Sequence, residues 1–162
     1  MSVLHSEPGL EVTCVATREP RISILRLDIS ALPDDSTAAM TAVRSFFHTF
    51  TGRIVTHALI TSVETPSMAQ MMSVVRYVMD LQSLVDEKLK GTIVQMGRAG
   101  RRVCNMTLSV VNRLYTPSER AARRAFEIVE TDGETNSVMD EILAHEAEKR
   151  ARREARAGKT TR

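Results

Sequence analysis

Cysteine is nearly absent from this chain. Cys14 and Cys104 are the only two among 162 residues. One disulfide is the most they can form, which excludes a disulfide-built scaffold and predicts two half-buried thiols in a reducing, cytoplasmic setting. Long apolar runs are missing as well. The longest charge-free stretch, residues 65–75, has eleven residues, against the ~20 that a membrane-spanning helix needs. The first eight residues, Met-Ser-Val-Leu-His-Ser-Glu-Pro, have no basic start and no apolar core, so no ordinary secretory signal is expected. The histidines His5, His48, His57 and His145 are scattered, without His-x-x-x-His or Cys-x-x-Cys spacing. Gly-x-Ser-x-Gly, phosphate-loop and dinucleotide fingerprints are missing too. These absences predict a chain without a metal, without a cofactor and without enzymatic activity.

What is present fits one globular domain. Hydrophobic residues make up 43% and charged residues 26%, and a chain of this length buries roughly 70% of its unfolded surface. The net charge of +2 is unevenly spread. Residues 148–162 carry seven bases and two acids, a charge of +5, which leaves the rest at −3. The basic character therefore belongs to the C-terminal tail, whereas a nucleic-acid-binding domain ordinarily carries it on the folded body.

Residues 10–17 and 21–29 are β-branched and largely alternating, which predicts two strands joined by Arg18-Glu19-Pro20 as a hairpin. Residues 32–36 form a loop and helix cap. A helix is expected over 37–51, stopped by Gly52, with Ala39, Val43, Phe46, Phe47 and Phe50 on one face. The run 54–63 reads as an interior strand covered on both faces. A long helix is expected from about Thr65 to Leu89, ended by Gly91, then a short strand over 92–96. A third helix over 102–115, a helical turn over 116–124, a final strand over 125–131 and a helix from near Ser137 into the tail complete the chain. The expected fold is α/β: a single mixed, mostly parallel sheet in the order β-β-α-β-α-β-α-β-α, with a basic C-terminal helical tail. Residues 1–9 are an N-terminal extension, 10–143 the domain and 144–162 the tail.

This order, over residues 10–143, resembles the STAS domain, the anti-sigma-factor-antagonist fold. In phosphorylatable members a serine in an Asp-Ser-Ser-Gly-like turn begins the helix after the third strand. Thr65-Pro66-Ser67-Met68 occupies that place here, so the resemblance implies Ser67 as a candidate phosphosite; the motif's aspartate and glycine are not present. Residues 84–94 together with Thr116-Pro117-Ser118-Glu119-Arg120 look like the latter half of CRAL-TRIO lipid-binding domains, which implies a lipid or small-ligand site.

The resemblance implies one site, Ser67, and the residues themselves suggest three more, each with a plainer alternative. Ser67 with Gln70 three residues on also matches a capping box, in which the hydroxyl accepts from a backbone N–H. Met68, Met71, Met72, Val75 and Met79 form one apolar stripe of the second helix while Val74, Val78, Leu81 and Val85 form another. A helix needs one stripe to cover a sheet, so the surplus is either deep core or a protein interface. Arg98, Arg101 and Arg102 flank a Gly-rich strand-to-helix turn suited to an anion, or to an ordinary surface turn. Lys149, Arg150, Arg152, Arg153, Arg156, Lys159 and Arg162 make the tail a polyanion-binding arm or a solvated end. The leading expectation is a non-enzymatic protein-interaction module, a regulatory or structural subunit whose partner is another protein or a second copy. Nucleic-acid association through the tail and small-ligand or lipid binding are the alternatives.

Overall fold

The computed structural model describes residues 1–31, 33, 35, 37–61, 67, 87–98, 100 and 126–160. Six strands lie in one sheet whose spatial order follows the chain: β1 (Ser2–Glu7), β2 (Leu10–Ala16), β3 (Ile22–Ile29), β4 (Arg53–Ile60), β5 (Leu89–Met96) and β6 (Phe126–Val129). The first two pairings are antiparallel and the next three parallel. The sheet is thus mixed and only partly parallel. Among the described residues there are two helices, α1 (Thr37–Thr49) between β3 and β4, and α2 (Asp132–Thr160) after β6.

The opening hairpin forms as expected, with Leu10 opposite Ile29 and Ala16 opposite Ser23. A strand precedes it, where the sequence suggested only an extension. The polar residues Ser2, His5, Ser6 and Glu7, together with a register shift between Val3 and His5, hide the period-two signal of β1. Its turn is Pro8-Gly9, with Gly9 at φ 87°. A Cβ there would lie 2.7 Å from the Ala31 carbonyl oxygen, so only glycine fits.

Alternation assigns the side chains of the sheet to two faces. On the first, Leu10, Val12, Leu25 and Ile54 pack against Ala39, Val43 and Phe47 of α1. Val12 and Ile54 are fully buried, each contributing about 1.5–3 kcal/mol by leaving water. Asp35 caps α1: its Oδ1 accepts from the Thr37 N–H at 2.9 Å, and the Thr37 hydroxyl first, then this N–H, lower the pKa of its carboxyl. At the other end, Lys88 Nζ donates to the carbonyls of Phe47 (2.5 Å) and Phe50 (2.7 Å), placing a cation at the negative pole of the helix.

On the second face, Ile22 and Val55 pack against Met139, Ile142 and Leu143 of α2. Strand β4 therefore buries Ile54 under one helix and Val55 under the other, as its continuous apolar run predicts. Strand β5 starts at Leu89, three residues earlier than expected. Gly91 is a buried strand residue opposite Val55, not a helix stop. Helix α2 starts at Asp132, five residues earlier than expected, because Thr131 and Glu134 cap it reciprocally. The Thr131 hydroxyl accepts from the Glu134 N–H at 3.2 Å, and the Glu134 carboxylate accepts from the N–H groups of Glu130 (2.7 Å) and Thr131 (3.2 Å).

Candidate functional site

The junction between the sheet and α2 holds most of the buried polar groups. Strand register lines them up in rows. Arg26 of β3 lies beside His57 of β4, which lies beside Ile93 of β5; one step along, Asp28, Leu59 and Gln95 form the next row. The start of α2 sits above these rows and adds Asp132 and Thr135.

Gln95 links the group. Its Nε2 donates to Asp132 Oδ1 at 2.7 Å, and its Oε1 accepts from the Thr135 hydroxyl at 2.9 Å and faces His57 Nε2 at 3.2 Å. A carboxylate only accepts, so Asp132 fixes which way the Gln95 amide points. The amide oxygen then requires His57 to carry its proton on Nε2. Burial lowers the pKa of His57, the bond to Gln95 opposes that, and Arg26 lowers it further. Arg26 is held by Asp28 through Nε (3.0 and 2.9 Å) and Nη2 (2.8 Å), which raises its pKa. A neutral, buried imidazole bonded to an amide is a fastening for α2; among the described residues its one hydrogen-bond partner is Gln95.

Lower down, α2 is fastened by charge. Glu146 is 5% exposed and bonds to Arg53 at the start of β4, with Lys149 Nζ at 3.3 Å from its other oxygen. Arg18 pairs with Asp140 at 2.7 Å, and Arg150 with Glu19 at 3.3 Å. Both Arg18 and Glu19 lie in the β2–β3 turn. The tail is thus one continuous helix with the C-terminal part of the domain, and its first turns are anchored through a buried carboxylate.

Beyond Arg150 the helix outruns the sheet. Its 29 residues span about 43 Å at 1.5 Å each, whereas an eight-residue strand spans about 26 Å. Residues 151–156 are exposed throughout. Arg152 pairs with Glu148 at 2.6 Å, and Arg150 reaches Glu154 at 3.8 Å.

The remaining sequence candidates are distributed as follows. Met68, Met71, Met72, Val75 and Met79 lie outside the described residues, as do Arg101, Arg102, Cys104, Arg162 and residues 116–120. Ser67 is exposed. Arg98 is exposed and 3.9 Å from Glu130. Lys149, Arg150, Arg152, Arg153 and Arg156 are exposed on α2, and Lys159 lies in its last turn. Sequence reasoning missed His57, Gln95, Asp132 and Thr135, which strand register and the docking of α2 bring together. It also missed the anchor at Glu146.

An open depression of about 330 Å³ lies at the far end of β1–β4, lined by Glu7, Glu11 and Asp28 among others. Asp28 is already engaged by Arg26, and Glu7 Oε1 lies 3.4 Å from His5 Nε2. Among the described residues, no group of three or more metal-ligating side chains occurs, and no helix is long and apolar enough to cross a membrane.

Comparison with protein-family models, curated proteins and solved structures found no match.

Proposed function

We propose that this chain is a non-enzymatic interaction module, a STAS-like α/β body that holds α2 firmly and offers its distal half to an acidic protein surface. The observation behind this reading is the division of α2. Its first half is fastened by apolar packing, the Gln95 links and the Glu146 clasp, while residues 151–156 are exposed. A helix held at one end loses little conformational freedom when the other end binds, which favours recognition. Its bases are interleaved with Glu148 and Glu154, and these pairs soften the field that a polyanion would meet.

Removing residues 152–162 takes away five bases and one acid and leaves the clasp in place. The full chain should bind a fluorescent polyglutamate peptide, and the shortened one should bind about tenfold more weakly, read by anisotropy. Equal binding by both would dismiss the distal helix as the contact. Nucleic-acid association is the second reading, carried by the same seven bases. It takes precedence if duplex DNA binds more tightly than the peptide, with a log–log salt slope no steeper than about −6 that shrinks on truncation.

A further inference from the structure

The upper end of α2 is held through one amide. The Gln95 oxygen takes two donors, the Thr135 hydroxyl at 2.9 Å and His57 Nε2 at 3.2 Å, and its nitrogen donates to Asp132 at 2.7 Å. These three bonds tie β4, β5 and the first turn of α2 together. Further down, the helix has separate holds: Ile142 and Leu143 pack beside Ile22 and Val55, and Glu146 bonds to Arg53. The first turns can therefore leave the sheet without the rest.

His57 is the member of the upper set whose ordinary pKa lies near neutrality. It is 8% exposed, and strand register fixes its neighbours. Arg26 lies beside it on β3, held by Asp28 at 2.8 Å. On its other side β5 brings only uncharged groups, Ile93 and, in the next row, Gln95. Helix α2 brings Asp132, already bonded to Gln95. A proton added to this ring makes a buried imidazolium beside a guanidinium, with both nearby carboxylates committed elsewhere. Relief comes by two routes. Water enters as the first turns of α2 lift, or Asp132 turns from Gln95 to the ring. Each route undoes a bond that holds the helix. The lowered pKa of His57 agrees with this: burial leads, the bond to Gln95 opposes it, Arg26 lowers it further, and Asp28 and Asp132 oppose.

We propose that His57, Gln95, Asp132 and Thr135 form a proton-operated latch: a proton taken up by His57 frees the first two turns of α2 from the sheet, while the Glu146 clasp keeps the following turns docked. The two states differ in local structure, docked against lifted, and the proton favours the lifted one because the ring is hydrated there. The latch does not rest on the acidic-partner reading, because every group in it belongs to the docked half of the helix and the sheet.

Hydrogen exchange of the full chain at pH 7.5 and 5.5, corrected for intrinsic rates, tests it. At pH 5.5 an exposed histidine with a pKa of about 6.5 is about tenfold favoured by proton uptake, while carboxylates, ordinarily near 4, keep their charge. Protection of residues 135–138 should thus fall about five- to tenfold on acidification, with residues 143–147 and α1 changing less than twofold. His57→Gln keeps a donor for Gln95 but takes up no proton, so it should abolish the fall. His145→Gln, at an exposed position of α2, should leave it intact. Should His57→Gln fail to fold, which its thermal melt reports, an NMR titration of the parent decides: the His57 ring should titrate below pH 6.5, in step with the Thr135 amide. Unchanged protection of residues 135–138, an equal fall in His57→Gln, or a fall spread evenly over α1 and α2 would overturn the latch. So would a His57 ring that titrates at or above 6.5.

Discussion

The face of the sheet under α1 buries Leu10, Val12, Leu25 and Ile54 against Ala39, Val43 and Phe47. The face turned to α2 buries Ile22 and Val55, but also His57, Gln95 and, from the helix itself, Thr135 and Glu146. Both faces exclude water, and they do so by different means. Apolar area is indifferent to pH and to charge screening, and one aliphatic side chain can stand in for another of similar volume. A polar junction depends on each donor meeting its acceptor, so it fixes the position of α2 and responds to the solution around it. The contrast explains how a helix with little apolar surface beyond Leu143 still docks in one register.

The contrast is open to attack from both sides. The largest loss should come from the apolar face. Phe47→Ala, at a ring 3% exposed, should cost about 3–5 kcal/mol in urea unfolding, independent of pH. A cost below about 1 kcal/mol would mean that α1 does not seal this face.

A smaller loss should follow on the other side from Arg53→Met, which leaves buried Glu146 with Lys149 alone. Breaking a fully buried pair costs about 3–5 kcal/mol; Arg53 is about one-third exposed and one partner remains, so about 2 kcal/mol is expected. Adding Glu146→Leu should recover most of it, because the stranded charge is then gone. If the double variant is no more stable than Arg53→Met, the clasp is not what holds this part of α2.

The smallest effect should be a pH response. The pKa of His57 is lowered in the folded chain. Above the ordinary histidine value of about 6.5, both folded and unfolded chains hold it neutral, and the stability is fully present. As pH falls below that value, the unfolded chain takes up the proton first. Stability therefore declines until the folded pKa is passed. His57→Gln should flatten this part of the stability–pH curve, while Phe47→Ala should leave its shape unchanged. A curve with the same slope in His57→Gln and the parent would remove His57 from the response.

Local signals in the sequence reach some of this. The strands β2, β3 and β4 and the helix α1 follow from alternation, from the run 54–63, and from apolar spacing closed by Gly52. Strand β1 does not, since four polar residues and a register shift erase its period. The start of β5 was masked by Gly91, which punctuates a helix in most contexts and here lies in a strand under α2. The start of α2 was legible in Thr131 and Glu134, but Asp132-Gly133 gives the stronger local signal of a turn. The tail announced its charge and helical propensity, though not that Glu146 would be buried. The polar junction was not legible at all. His57 and Gln95 are 38 residues apart, Gln95 and Asp132 37 apart; sheet register makes the first pair neighbours and the docking of α2 the second.

The order of strands and helices along the chain gives the polar face a meaning in time. Among the described residues, helix α2 follows all six strands, so the cover that it gives this face arrives last during synthesis. Helix α1, in contrast, precedes β4, and its cover is in place early. The face left waiting carries His57, Gln95, Arg26 and Asp28 among its aliphatics, groups that water can solvate in the meantime. An unfinished chain that showed the α1 face instead would offer neighbouring chains a more aliphatic surface, the usual beginning of aggregation. Placing the wettable face under the last helix thus keeps the half-made protein from sticking to its neighbours.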